Sequence, residues 1–195
     1  MGDLQRQHVA ETPMLTQPKM DWLLAQLHPV CHAPLETLIH RAAHELGLSL
    51  TPFDAHRGDA AQNAALASGA SKKPAGKSWH NLVFPGGRPC SFAVHVRIDL
   101  PDGGGVGFGD SRLEYPGAVL LHADIWRDKV GERLTARQLV YVCVMLLAEE
   151  IGWTTGGRWS GLQDWCHLEW HPNGATMEQV KAALLANEVI AGRRA

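Results

Sequence analysis

No stretch of this chain reaches the ~18 consecutive apolar residues of a membrane-spanning helix, so stable insertion into a bilayer is not expected. An excess of charge of one sign is equally absent: 18 Lys and Arg stand against 20 Asp and Glu, a formal net charge of −2. A protein that holds nucleic acid through a strongly basic face does not have this balance, and no nucleic-acid partner is expected. Cysteine is sparse. The four residues at positions 31, 90, 143 and 166 include no Cys-x-x-Cys pair, which excludes a cysteine-built metal ribbon and predicts free thiols. Cys143 sits in the apolar run LVYVCVMLL and is expected to pack in the core. The opening residues, MGDLQRQHVAETP, lack the charged-then-apolar pattern of a secretory signal. Repeats and low-complexity tracts are missing too, and the glycine-rich PDGGGVGFGD (101–110) lacks the spacing of a dinucleotide or phosphate-binding loop.

What is present is enough for one core: 195 residues, 45% of them hydrophobic, predict a single domain. Residues 1–19 are polar with two prolines and read as a flexible leader, leaving 20–195 as the domain. MDWLLAQL (20–27) predicts a short helix. PLETLIHRAAHELG (34–47) predicts another, with Leu35, Leu38, Ile39, Ala42, Ala43 and Leu46 at helical spacing and Gly47 as its stop. LSLTPF (48–53) predicts a strand, and DAAQNAALASG (59–69) a short helix followed by the loop ASKKPAGK (70–77). SFAVHVRIDL (91–100) alternates strictly, with Phe92, Val94, Val96 and Ile98 on one face and Ala93, His95, Arg97 and Asp99 on the other; a half-buried strand is expected. GAVLLHADIW (117–126) predicts a further strand or a strand running into a helix. TARQLVYVCVMLLAEEIG (135–152) is the longest helix, capped by Thr135, and residues 176–192 predict a terminal helix capped by Thr176. Helices around a few short strands make an α+β domain, with a small central antiparallel sheet.

Eleven histidines and seven tryptophans are many for this length. His8, His28, His32, His40 and His44 are scattered and read as surface residues. Two segments stand apart, GKSWHN (76–81) and GGRWSGLQDWCHLEW (156–170), each with a histidine in a tryptophan-rich setting. In the second, Asp164 precedes His167 by three residues and Glu169 follows it by two. A histidine and a carboxylate so close can act as metal ligand and general base, because a metal takes a neutral imidazole and an attacking water needs an acceptor for its proton. On spacing alone, a hydrogen-bonded surface pair fits Asp-x-x-His as well.

At GKSWHN, SFAVHVRID and GGRWSGLQDWCHLEW the chain resembles the zinc peptidases that cleave bacterial peptidoglycan, a family of D-alanyl-D-alanine carboxypeptidases and L-alanyl-D-glutamate endopeptidases that includes phage endolysins. The family's first motif runs Ser-x-His-x-x-Gly-x-Ala-x-Asp, and Ser78 and His80 match its start. The second runs Trp-Gly-Gly-x-Trp and then Asp-x-x-His-x-Glu, matched by Gly156, Gly157, Trp159, Asp164, His167 and Glu169. HRGDAAQ resembles the family's Arg-x-x-x-x-Gln stretch and places Arg57 and Gln62. The likeness covers about residues 27–170.

One departure matters. Twelve residues lie between His80 and Ala93, where the motif is compact, and His95 stands where the motif has its metal-binding aspartate. Asp99 is the alternative ligand, on the same face of the strand but ~13 Å further on, too far for one ion to take both. The resemblance implies Zn2+ on His80, His95 and His167, with Asp164 as general base. Arg57 is then placed to hold a substrate carboxylate or the developing oxyanion, and Ser78, Gln62, Trp159 and Glu169 to support ligands or substrate. It implies a peptidoglycan stem peptide as substrate and a monomeric enzyme of phage or prophage lysis, held in the cytoplasm until a holin-like pore releases it. A D-Ala-D-Ala carboxypeptidase or dipeptidase of the same fold, and a non-catalytic wall-binding protein that has lost a ligand, are the alternatives.

Overall fold

The computed structural model describes residues 17–99, 105–106, 136–159 and 164–186, and among these residues there are five α-helices and five short strands. The first helix, α1 (Gln17–Leu24), begins three residues before the predicted start and buries Leu23. A 3-10 turn (Pro29–Cys31) leads into α2 (His32–Arg41), which buries Leu35 and Leu38 as their spacing predicts. Past Arg41 the helix widens into a π turn (Ala42–Leu46) and stops at Gly47, whose left-handed φ of 65° glycine adopts freely. Widening changes the helical phase, so Ala43, expected on the apolar face, is exposed while Ala42 and Leu46 are buried.

Strand β1 (Ser49–Phe53) pairs antiparallel with β2 (Ala93–Asp99), Phe53 opposite His95 and Ser49 opposite Asp99. The other edge of β2 carries β3 (Gly105–Val106) beside Ile98 and Asp99, and β5 (His167–Glu169) beside Ala93 to His95. Strand β4 (Thr154–Thr155) closes the sheet on β5. The class is α+β, with a small antiparallel sheet as its centre. The predicted strand at 117–126 lies outside the described residues.

Helix α3 (Asp59–Ala67) follows β1, and α4 (Ala136–Ile151) packs against α2. Residues 140–145 of α4 are all buried, which fits a central helix covered on every side. Cys143 is among them, and no disulfide involves any of the four cysteines. Strand β2 is more deeply buried than alternation predicts: Phe92, Val94, Val96 and Ile98 enter the core, and Ala93 and His95 on the opposite face are covered as well. Helix α5 (Met177–Leu185) starts at a reciprocal cap between Thr176 and Gln179, and residues 187–192 of the predicted helix lie outside the described residues. Among the described residues no helix is long and apolar enough to cross a membrane.

Candidate metal centre

Sheet register builds the first half of the site. His95 on β2 lies directly opposite His167 on β5, so both imidazoles project from the same face of neighbouring strands. His80 comes from the 3-10 turn Trp79–Asn81, whose backbone is fixed by the Ser78 hydroxyl accepting from His80 N–H. All three side chains are buried, at 1%, 5% and 5% exposure for His80, His95 and His167. Their inner nitrogens converge: His167 Nδ1 is 3.0 Å from His95 Nε2 and 3.3 Å from His80 Nε2, and all three lie within 4.8 Å of one another. Nitrogens about 3.3 Å apart are what a tetrahedral ion with bonds of ~2.0–2.1 Å requires.

The outer nitrogens bear on whether these inner atoms could hold a metal ion. His80 Nδ1 faces the Ala55 carbonyl, His167 Nε2 faces Glu169 Oε1 at 3.0 Å, and His95 Nδ1 faces Asp54 Oδ2 at 3.0 Å. Each neighbour is an acceptor, so each outer nitrogen carries the proton and the inner nitrogens of His80 and His167 present lone pairs, while the inner nitrogen of His95 also faces a carboxylate, Asp164. Lone pairs aimed at one point repel unless a cation or a shared proton sits between them. The charges agree. Burial and the two neighbouring rings push His80 down to about 3, and burial likewise lowers His167. His95 moves the other way: burial opposes its charge, but carboxylates at both ring nitrogens raise it above the ordinary imidazole value. The centre holds two neutral imidazoles and draws one positive charge, and the donor set fits a divalent metal ion with borderline-soft character.

Asp164 lies beside this centre, Oδ2 being 3.2 Å from His95 Nε2. Its other oxygen, Oδ1, accepts from Cys166 N–H at 3.4 Å and from the Cys166 thiol at 3.0 Å. Burial would raise the Asp164 carboxyl, but the contact with His95 outweighs it and keeps the group ionised far below the usual carboxylate range. Two glycines make room for this turn. A Cβ on Gly156 would come 2.5 Å from the Asp164 carbonyl oxygen, and one on Gly157 would come 2.6 Å from the Trp165 ring. The Gly-Gly pair of the sequence motif is therefore a close-approach requirement.

The remaining predicted residues divide. Glu169 holds His167, and also His171 at 3.0 Å. Trp159 lies against His167 with ring centroids 4.8 Å apart, whereas Trp165 and Trp170 are buried in the core. Gln62 is fully buried away from the histidines, and its amide donates to Ser71 Oγ at 2.8 Å and to the Lys73 carbonyl at 2.6 Å. Arg57 reaches the edge of the site, 3.3 Å from His95 Nδ1, but its Nε (2.8 Å) and one terminal nitrogen are engaged by Asp54. Asp99 is not brought to the centre. It accepts from the Thr51 hydroxyl and meets Ser49 at 3.5 Å, which leaves His95 as the third converging residue.

Asp54 and the Ala55 carbonyl are parts of the site that the sequence does not announce. Asp54 bridges His95 and Arg57 from a backbone at φ 49°, a left-handed conformation in which aspartate is several-fold enriched among non-glycine residues. Burial favours protonating it, yet the bonds from His95 and Arg57 dominate and hold its carboxyl far below the usual range.

The three histidines, Asp164, Glu169, Trp159 and Arg57 border a cavity of about 870 Å³, completed by the segment 70–74, Lys77, Met177 and Glu178. That volume lies in the range of small-ligand sites. Neither a protein family nor a curated protein sequence matches the chain. Among solved structures it is similar to the L-Ala D-Glu endopeptidase ChiX of Serratia marcescens, with 20% identity, coverage of 88% of this chain and 96% of that one, and a TM-score of 0.47.

Proposed function

We propose that this chain is a zinc-dependent peptidase that hydrolyses peptidoglycan stem peptides, of the L-alanyl-D-glutamate endopeptidase type. The observation that carries the reading is the convergence of three buried imidazole nitrogens, with an ionised carboxylate beside them, at the wall of a ligand-sized cavity. A cysteine-free set of three protein ligands is the pattern of catalytic rather than structural zinc. The stem-peptide substrate is supported by the order of Arg57, Ser78, His80, Asp164, His167 and Glu169 along the chain, and a setting in phage or prophage lysis is part of the same proposal.

His80, His95 and His167 would hold the ion, which when bound supplies a Lewis acid for the scissile carbonyl and acidifies water. Asp164 Oδ2 takes the proton from the attacking water and delivers it to the departing amine. Cys166 keeps Oδ1 occupied, so the free lone pairs of Oδ2 stay directed at the reaction. Glu169, Asp54 and the Ala55 carbonyl fix each ring's tautomer, so no ligand has to rearrange when metal enters. Trp159 covers His167 on the cavity side and limits water access.

Purified peptidoglycan digested with the protein, with and without chelator, followed by mass spectrometry of the released peptides, tests the activity and locates the cut. Asp164→Asn is expected to keep stoichiometric metal and lose ~10²–10⁴-fold in turnover. His167→Ala is expected to lose both. Chelator-insensitive hydrolysis, or full activity in Asp164→Asn, would overturn the proposal.

A further inference from the structure

The cavity is bordered by two chemically unlike segments. One is the histidine and carboxylate cluster; the other is the stretch 70–77, a plain loop by sequence, which brings Lys72, Lys73 and Lys77 to the cavity edge. This loop is built to hold its shape. The buried Gln62 amide donates to Ser71 Oγ and to the Lys73 carbonyl, Lys73 N–H donates back to Ser71 Oγ at 3.1 Å, and Ala75 N–H bonds Asn63 Oδ1 at 3.0 Å. From the other side Lys181 of α5 donates to the Gly76 carbonyl at 2.6 Å. A fully buried glutamine spent on an exposed loop is unusual, since burying an amide requires compensation and a loose surface loop gains nothing from it.

The three lysines differ in their partners. Lys77 faces Glu178 at 3.3 Å. For Lys72 and Lys73 no carboxylate lies within ion-pair distance among the described residues, so two lysines consecutive in sequence stand on a hydrogen-bonded loop at the cavity edge without a counter-ion among those residues. Solitary exposed lysines are merely hydrated, but a fixed pair concentrates positive potential where a ligand must pass. The other candidate anion clamp, Arg57, already has its Nε and one terminal nitrogen on Asp54.

We propose that Lys72 and Lys73 form a carboxylate subsite, held in place by Gln62, that binds a free carboxylate flanking the bond to be cut. The proposal rests on the hydrolase reading of the same cavity and narrows its substrates to anionic peptides. An ammonium pair suits a carboxylate whose position varies by an ångström or two, because a point charge does not demand a fixed plane as a guanidinium does.

The test uses two synthetic stem-type peptides that differ only in a free glutamyl α-carboxylate or its carboxamide. Binding to the metal-loaded full chain is read by tryptophan fluorescence, since Trp159 borders the cavity, and turnover is measured in parallel. The acid is expected to bind about tenfold more tightly than the amide. Lys72→Ala/Lys73→Ala should erase that difference through KM with kcat nearly unchanged, and Lys72→Arg/Lys73→Arg should restore it. Equal binding of acid and amide by the unsubstituted protein, binding of neither, or a preference that survives the double alanine variant would overturn the subsite. Preferential binding of the acid without hydrolysis of either peptide would support the subsite while removing the peptidase reading.

Discussion

His95 and Asp99 stand on the same face of one strand, four residues apart, and either could serve as a metal ligand by chemistry alone. At the His95 end the neighbouring strand supplies His167 in direct register, and the loop after β1 supplies Asp54. At the Asp99 end the neighbours are the hydroxyls of Ser49 and Thr51, both on Oδ2, and the Arg97 guanidinium, 3.4 Å from Oδ1, which together tie the carboxylate to the sheet. Both groups are satisfied, one by a site and the other by structure. Facing direction and the capacity to bind a metal are shared, so what separates a candidate ligand from a strut is what the adjacent strand places opposite it.

The comparison breaks most sharply under paired substitution. His95→Ala is expected to abolish metal binding, with activity falling to that of chelator-treated protein. Asp99→Ala should keep one metal per chain and near-normal turnover. Its cost lies in stability, about 1–3 kcal/mol, because the buried Thr51 hydroxyl loses its acceptor. Metal content by atomic emission, set beside urea unfolding of the same samples, checks both halves. Loss of metal from the Asp99 variant would erase the distinction drawn between the two ends.

A smaller effect sharpens the His95 end. Asp54→Asn keeps an oxygen that can accept from His95 Nδ1–H, and asparagine tolerates the left-handed backbone at this position. Only the charge is removed. Affinity for the metal should fall by roughly 10–100-fold, as for other carboxylates that back a ligand histidine, and Asp54→Glu should recover less than the native residue because its reach is wrong. Competition with a chromophoric chelator gives the affinity, and nitrogen NMR of His95 reports whether the Nδ1–H tautomer survives. Unchanged affinity with an unchanged tautomer would reduce Asp54 to a partner of Arg57.

Much of this was legible in residue types and periodicity. Strict alternation marks β2, and the pairing of Asp164 with His167 three residues later marks the site, because both signals are local. Register is not local. Nothing in VHVRID says that position 95 rather than 99 will face the second histidine strand; that depends on how β5 pairs, which is set far away in the chain, where Asp164 N–H bonds the Gly156 carbonyl just before the strand. Asp54 left still less trace: a single aspartate in TPFDAHRG has no spacing partner, and the one usable hint was an aspartate at the end of a predicted strand, where a turn with positive φ is common. The π turn after α2 is similarly invisible, since the apolar spacing reads as continuous helix through it.

His28 is where the scattered histidines were misread as surface, and it gives the mildest test, from the opposite face of the same strand. Its ring stacks on Phe92 at 4.6 Å between centroids and tilts against Phe84 at 5.5 Å, while Nδ1 accepts from Val30 N–H at 3.2 Å. Burial first, and then the nearby His32, lower its pKa from 6.5 to about 4. A folded value below the unfolded one means that the unfolded chain binds more protons between these limits. This group therefore contributes no penalty above pH 6.5, destabilises progressively as the pH falls from 6.5 to about 4, and adds nothing further below that. His28→Asn retains an acceptor for Val30 but cannot titrate. The variant should be less stable than the native chain at pH 7, through lost stacking, and the gap should narrow by pH 5. Urea unfolding of both proteins at the two pH values measures it, and a gap that stays constant would show that the imidazole behind Phe92 remains as free to protonate as one in water.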